Sequence, residues 1–321
     1  MIMHKEFLMG NAAIALGAVA AGVNVVAGYP GTPSTEVLET IAKHRPDDVY
    51  VEWSVNEKAA MELAAGASYA GARSMVTMKQ VGLNVASDPL MSLEYVGIKG
   101  GMVILVADDP GPISSQTEQD TRHFSRFSKL PCFDPSSAQE AYEMIQEAFE
   151  YSEKYGTPVF LRPTTRVCHG YASIMVKDET EYTHHQPEGF IKDSKRWVIF
   201  PRLSFMNHKK IEARNQELSD IFSSYEKNTI HPSCDAFKDS KKGIATGGIS
   251  YTYTMETLKK TGMVKTLKIA TPHPFPEKLA VDFLSGLDEV LCLEELDPVI
   301  ERELIYICGK YHLPTRISGK L

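Results

Sequence analysis

No two cysteines of this chain lie close together in the sequence. The five present, Cys132, Cys168, Cys234, Cys292 and Cys308, are odd in number and widely spaced, so they form no disulfide framework. No CxxC pair occurs, which excludes a zinc knuckle and a ferredoxin-type cluster run. Reduced thiols and a cytoplasmic location are the expectation. Long Lys/Arg runs are also missing, and the net charge of −7 argues against a nucleic-acid partner. No apolar run reaches membrane-crossing length, so no membrane partner is expected. The fingerprints GxGxxG and GxxxxGK[ST] are absent, which ranks a dinucleotide-binding dehydrogenase last and excludes a P-loop. Residues 12–23, "AAIALGAVAAGV", loosely mimic a secretory apolar core. They follow Asn11, a good helix cap, and run into a strand, so they read as a buried helix.

What is present is a chain of 321 residues, enough for two cores, with 43% hydrophobic and 23% charged residues. Strands are predicted at Val23–Ala27, Val49–Trp53, Ser74–Met78, Met102–Ala107 and Pro158–Arg162. Helical patterns at about 34–43, 57–71, 81–96 and 136–154 alternate with them. Such alternation predicts an α/β fold, a doubly wound parallel sheet with ligands beyond the carboxyl ends of its strands. Residues 171–240 read as a polar, broken connector with one helix at about 206–226. A smaller α/β unit follows, with strands at Lys242–Thr246, Lys265–Ala270 and Glu289–Glu294 and helices at about 250–261, 276–285 and 298–310.

The stretch "GYPGTPSTE" raises the first functional question. Gly28 and Gly31 permit a tight turn and close backbone approach, with Tyr29 and Pro30 between them. Thr32 stands where an N-cap belongs and Pro33 at the first helical position. The amides of Ser34 and Thr35 are then expected to point outward, an anion site suited to a small carboxylate. Thr32 capping the helix and doing nothing else is the plainer alternative, and the stretch alone leaves both open.

The second stretch is "VEWSVNEKAAMELAAGASYAGAR". Asn56 or Ser54 caps a helix whose first turn holds Glu57. Beyond it the helix is built of Ala and Gly on several faces, which predicts burial against another element or subunit. Glu57 is either a solvated, dipole-friendly carboxylate or one at a dry pocket edge that trades a proton with a ring nitrogen.

Further candidates follow the next strands: Lys79, Gln80 and Asn84, then Asp108, Asp109, Ser114, Ser115, Gln116 and Glu118. Loop solvation or capping explains each equally well. Arg162 and Arg166 bind a carboxylate or join surface ion pairs of little consequence. His169 reads as an ordinary loop histidine and His273 as fixed by a turn. Glu294, Glu295 and Asp297 read as solvated caps, so no metal ligand is assigned.

Taken in order, "GYPGTPSTE", "WSVNEKAAMELAAGASYAGARSMVTMKQVGLNVASDPLM", "GGMVILVADDPGPISSQTEQD" and "TPVFLRPTTRVCHG" resemble the thiamine-diphosphate-dependent 2-oxoacid:ferredoxin oxidoreductases, the indolepyruvate branch above all. The resemblance implies a Pyr-type thiamine-diphosphate-binding domain over 1–170, the connector over 171–240 and a transketolase C-terminal-like domain over 241–321. It implies that Glu57 bonds the aminopyrimidine of the cofactor and that Thr32 touches a 2-oxoacid. Ser34 and Arg166 join the substrate side, and Tyr29, Pro30, Gly31, Lys79, Gln80 and Asn84 the cofactor side. The implied activity is oxidative decarboxylation of an arylpyruvate to an acyl-CoA, with electrons passed to ferredoxin. The implied partners are a second copy through the Pyr domain, a beta subunit and ferredoxin.

The family holds the diphosphate through magnesium on a domain marked by GDG, and neither GDG nor CxxCxxCxxxCP occurs here. A GDG-bearing domain or subunit is therefore the expected source of Mg, and another region the source of [4Fe–4S] clusters. The chain by itself is expected to be inactive. The alternatives are another 2-oxoacid:ferredoxin oxidoreductase, a thiamine-dependent 2-oxoacid decarboxylase component, or a non-catalytic assembly module.

Overall fold

The computed structural model describes residues 2–44 and 49–321. In chain order it runs β1 (Met3–Met9), α1 (Gly10–Ala20), β2 (Val25–Gly28), α2 (Thr35–His44), β3 (Tyr50–Trp53), α3 (Glu57–Tyr69), β4 (Ser74–Lys79), α4 (Gly82–Val96) and β5 (Met102–Ala107). Next come α5 (Arg122–Ser128), β6 (Cys132–Phe133), α6 (Ala138–Tyr155), β7 (Val159–Leu161), α7 (Thr165–Cys168) and β8 (Tyr171–Lys177). Then follow α8 (Ser194–Trp197), α9 (Pro201–Phe222), β9 (Thr229–His231), β10 (Lys242–Gly247) and α10 (Gly248–Thr261). The chain closes with β11 (Lys265–Ile269), α11 (Glu277–Leu284), β12 (Glu289–Leu293), α12 (Val299–Tyr311) and β13 (Arg316–Ser318).

The larger sheet has six parallel strands in the order β3-β2-β4-β5-β7-β6. Every residue of β5 is buried, as an apolar strand covered on both faces must be. Alternation sorts its side chains: Val103 and Leu105 pack with α1, α2 and α6, while Ile104 and Val106 pack with α3 and α4. The smaller sheet has the order β13-β12-β10-β11-β9, with β9 antiparallel at the edge. The predicted α/β alternation is borne out in both units.

α1 is buried along most of its length, Ala13, Ile14, Ala15 and Ala18 among them, as its uniformly apolar sequence requires. No helix of the described residues is long and apolar enough to cross a membrane. The expected Asn11 cap is not found: α1 begins at Gly10, its N-cap is Met9, and no side chain caps it. Asn11 lies inside the helix, fully buried.

Residues 171–177 are not connector. They form β8, antiparallel to β1 with Met3 opposite Lys177 and Met9 opposite Tyr171. The expected boundary at 170 thus falls just before a strand paired with the start of the chain. The pairing escapes a local reading because each strand leaves one face in solvent and its partner lies far along the chain. The connector helix begins at Pro201, several residues earlier than predicted, with proline in the first turn where its missing N–H costs nothing. β6 docks the two units: the Cys132 N–H donates to the His273 carbonyl (2.7 Å) and the Asp134 N–H to the Ala270 carbonyl (2.8 Å). The His273 ring is packed beneath this junction, and burial beside Arg126, Lys129 and Arg214 pushes its pKa down to about 3.

Candidate active site

Four loops meet at the carboxyl end of the larger sheet. The first follows β2. Its glycines are required by crowding rather than by backbone angle, since neither Gly28 nor Gly31 has a positive φ. A Cβ on Gly28 would lie 2.4 Å from Thr77 Oγ1, and one on Gly31 would lie 3.0 Å from Lys79 Cγ. The lysine stem therefore crosses the turn.

Thr32 does not cap the helix. The Ser34 N–H and its hydroxyl both donate to the Gly31 carbonyl, each at 2.9 Å. The Gly31 N–H donates to Thr35 Oγ1 (2.9 Å), and α2 starts at Thr35. Ser34 is buried with its amide and hydroxyl turned into the loop, so the expected outward anion site is not formed by that residue. Thr32 is exposed, as are Tyr29 and Pro30. Its side chain is thereby left at the mouth of the turn.

Behind the turn stands Asn11, whose Nδ2 donates to the Pro33 carbonyl (2.7 Å) and to Glu36 Oε2 (2.8 Å). His169 Nε2 lies 3.6 Å from the same Glu36 oxygen. Asn11 is a brace of the turn that sequence reasoning missed. The available signal was a lone amide in "GNAAIALGAVA", which makes a buried polar role more economical than a cap.

The second loop leads from β3 into α3. Asn56, not Ser54, caps the helix, its side chain accepting from the Ala59 N–H (2.9 Å). Ser54 instead donates to Glu52 Oε1 (2.9 Å). Glu57 is partly buried, with its side chain laid over Gly82 at the head of α4; a Cβ there would come 2.4 Å from Oε1. The small residues of α3 serve two sides. Ala60, Met61, Ala64, Ala65 and Ser68 are buried within the chain, while Glu62 and Gly66 are exposed.

The third and fourth loops follow β4 and β5. Lys79 Nζ donates to Gln116 Oε1 (3.4 Å), and Asn84 and Gln119 exchange side-chain amide hydrogen bonds (3.2 and 3.3 Å). Gln80 is fully buried; its Nε2 donates to the Thr117 carbonyl (3.2 Å), while its Oε1 has no partner among the described residues. Asp109 Oδ2 accepts from the Ile113 and Ser114 amides (3.0 and 2.9 Å) and Oδ1 from Thr165 Oγ1 (2.8 Å). Glu118 Oε1 accepts from the Gly111 N–H (2.8 Å). Ser115 lies in the same loop, on the Asp109 side, where its hydroxyl helps hold the Asp109 carboxyl below the usual carboxylate range.

Beneath these loops Arg162 and Asp108 form a buried ion network, not a surface pair. Arg162 reaches Asp108 (2.7 Å), Asp134 (3.3 Å) and Asp120 (3.6 Å). Arg122 joins Asp120 (2.5 Å) to Glu294 (2.7 Å) of the second unit. Burial pushes Asp134 up to about 6 and raises Asp108, with Arg162 opposing in both cases. Glu294 is likewise not solvated: from a buried position it accepts the Ile300 and Glu301 amides at the start of α12 (3.0 and 3.1 Å). Glu295 pairs with Arg166 (2.6 Å), and Asp297 with His123 (2.9 Å). The Arg166 guanidinium is thus engaged across the two units.

The sequence profile of the family described as pyruvate flavodoxin/ferredoxin oxidoreductase, thiamine diphosphate-binding, matches residues 16–232. The chain belongs to this family. Among curated relatives of this thiamine-diphosphate-binding family, the indolepyruvate oxidoreductase subunit IorA of Methanothermobacter thermautotrophicus is 43% identical over 99% of this chain and 51% of its own length. The subunit of that name from Pyrococcus horikoshii is 40% identical over 99% of this chain and 49% of its own length. The chain therefore spans about half the length of the curated relatives it matches.

Two solved structures share the fold. One is a 2-oxoglutarate:ferredoxin oxidoreductase from Magnetococcus marinus, with a TM-score of 0.76 at 17% identity over 98% of this chain and 62% of that one. The other is a split-gene transketolase, with a TM-score of 0.63 at 15% identity over 97% of this chain and 87% of that one. The residues present suit the cofactor of the family. A carboxylate stands at the open end of the sheet with Gly82 bare beneath it, and at the same end Gln80 Oε1 and Thr77 Oγ1, the latter against Gly28, are buried with no partner among the described residues.

Proposed function

We propose that this chain is the pyrimidine-binding part of an indolepyruvate (arylpyruvate):ferredoxin oxidoreductase. The observation that carries this is Glu57, seated on Gly82 at the head of α4. When bound, thiamine diphosphate would supply the carbon nucleophile and electron sink for oxidative decarboxylation of a 2-oxoacid to an acyl-CoA, with ferredoxin as the electron acceptor.

The chain's own residues orient and polarise. Glu57 holds the proton shared with an aminopyrimidine ring nitrogen. Tyr29, Pro30 and Gly31 with Lys79, Gln80 and Asn84 shape the surface beside it. Thr32, exposed at the mouth of its turn, offers a hydroxyl to the carboxylate of the 2-oxoacid. Ser34 and Asn11 set that turn. Magnesium, the diphosphate contacts and the [4Fe–4S] clusters belong to a GDG-bearing region and other parts of a cytoplasmic assembly that includes a beta subunit. A second copy pairs through the larger sheet, where the Gly66 side of α3 is open.

The test is reconstitution with a GDG-bearing partner, followed by NMR of proton exchange at C2 of the cofactor. Glu57→Gln is expected to slow that exchange by roughly 100-fold or more, the scale of acid–base catalysis by one side chain. An unchanged rate removes Glu57 from this role. The isolated chain is expected to bind the cofactor weakly by calorimetry, and tight magnesium-dependent binding would overturn the division of labour.

A further inference from the structure

The loop after β5 is built to hold a shape that burial alone does not give it. Ile113 at its tip is 70% exposed, so the conformation rests on polar contacts. Asp109, 1% exposed, is the centre of them. One carboxylate oxygen accepts both the Ile113 and Ser114 amides and the other accepts the Thr165 hydroxyl. Glu118 closes the loop from the other side through the Gly111 amide, at a residue whose φ of 65° suits glycine.

So shaped, the loop reaches each of the other site elements except α3. Ser114 Oγ donates to the Thr32 carbonyl (3.3 Å), and Gln116 accepts from Lys79. The Thr117 carbonyl accepts from Gln80, and Gln119 pairs with Asn84. Just beyond, Asp120 is pinned by Arg122. The far end of the loop therefore cannot drift.

We infer that residues 110–119 are a strap forming one wall of the substrate site, and that Asp109 is the positioning residue that sets its shape. This rests on the functional reading above. A carboxylate suits the task because charge-assisted bonds to backbone amides are about twice as strong as neutral ones. Asp109 acts only through the strap: it orients Ser114 against Thr32 and Gln116 against Lys79, and so fixes the space left for the 2-oxoacid.

The experiment compares Asp109→Ala and Asp109→Asn with the wild type. In the full chain, amide hydrogen exchange over 110–119 is expected to quicken about tenfold in Asp109→Ala, from the loss of the acceptor for the Ile113 and Ser114 amides. Exchange over β4 and β5 stays as in the wild type. Asp109→Asn, which keeps one acceptor oxygen, restores most of the protection.

In the complex with the diphosphate-binding partner, KM for the 2-oxoacid is expected to rise about tenfold in Asp109→Ala, with kcat held within about threefold. Unchanged exchange over 110–119, or faster exchange with an unchanged KM, overturns the assignment. If Asp109→Ala does not fold, Thr165→Val makes the same comparison from the opposite partner. Absence of C2 exchange in the wild-type complex would sink the functional reading; the hydrogen-exchange comparison then still decides whether Asp109 shapes the strap.

Discussion

The Glu57 carboxylate rests on the bare α-carbon of Gly82, so close that a Cβ at that position would lie 2.4 Å from Oε1 and 2.7 Å from Cδ. Gly82 is the first residue of α4, and the atoms a Cβ there would meet belong to the far end of the flexible Glu57 side chain. Gly82→Ala is therefore expected to leave the melting temperature nearly unchanged while displacing Glu57. In the reconstituted complex the C2 exchange rate should fall by about 100-fold, the usual consequence of an ångström-scale misplacement. Exchange at the wild-type rate would show that the contact has no bearing on the chemistry.

Arg162 is the sole guanidinium within reach of both Asp108 and Asp134 among the described residues. Arg162→Met leaves two buried carboxylates without their partner. The expected loss is about 3–5 kcal/mol in urea unfolding, the cost of breaking a buried pair from one side. Arg162→Lys should recover little of it, because a single ammonium cannot reproduce the fork that serves two acids. A loss below about 1 kcal/mol would mean the network contributes no more than a surface pair.

Glu94 is buried beside Arg214 (2.7 Å), and burial outweighs that partner, pushing its pKa up to about 7. The unfolded chain releases this proton near the ordinary glutamate value, so the folded state holds it longer. The group's contribution is full at low pH and is lost as pH rises through about 7. Asp134, raised to about 6, acts in the same direction, whereas His273, lowered to about 3, favours the fold only above the ordinary histidine range. Substituting Glu94→Gln isolates one contribution. Between pH 5 and 8 the wild type should lose stability relative to the variant, by on the order of 3 kcal/mol, in paired urea titrations. Parallel pH profiles would contradict the raised pKa.

Arg166 is bonded to Glu295 across the two units, with the arginine side chain 44% exposed. Exposed pairs of this kind contribute about 0–1 kcal/mol. Arg166→Ala should shift stability within that range. It should also leave KM for the 2-oxoacid unaltered, because the guanidinium is already engaged. A raised KM with unchanged stability would place Arg166 on the substrate side of the site.

Much of the fold was legible because it is written locally. The strands of the larger sheet carry continuous apolar runs, as in Met102–Ala107, and the helices between them carry the longer period. Asn56 and Glu57 announced the start of α3, and the structure begins that helix at Glu57. The turn at 28–35 was legible as a turn but not in its bonding. Thr32, Ser34 and Thr35 are all competent caps, and only the path of the chain decides that Thr35 accepts the Gly31 amide while the Thr32 side chain stands exposed.

The sequence by itself determined the alternating architecture, the identity of the carboxylate that opens α3 and the glycine-bounded turn opposite it. Each depends on residues within a few positions of one another. Only the tertiary structure decided that Glu57 lies over Gly82, that Asn11 supports the turn from behind, and that Arg162 is buried among acids from the loops after β5 and β6. It also decided that the strap after β5 touches Thr32, Lys79, Gln80 and Asn84. The physical reason is that a polar side chain takes its partner from whatever the packed core brings within hydrogen-bonding distance. Those neighbours come from distant parts of the chain, so local sequence pattern carries no record of them.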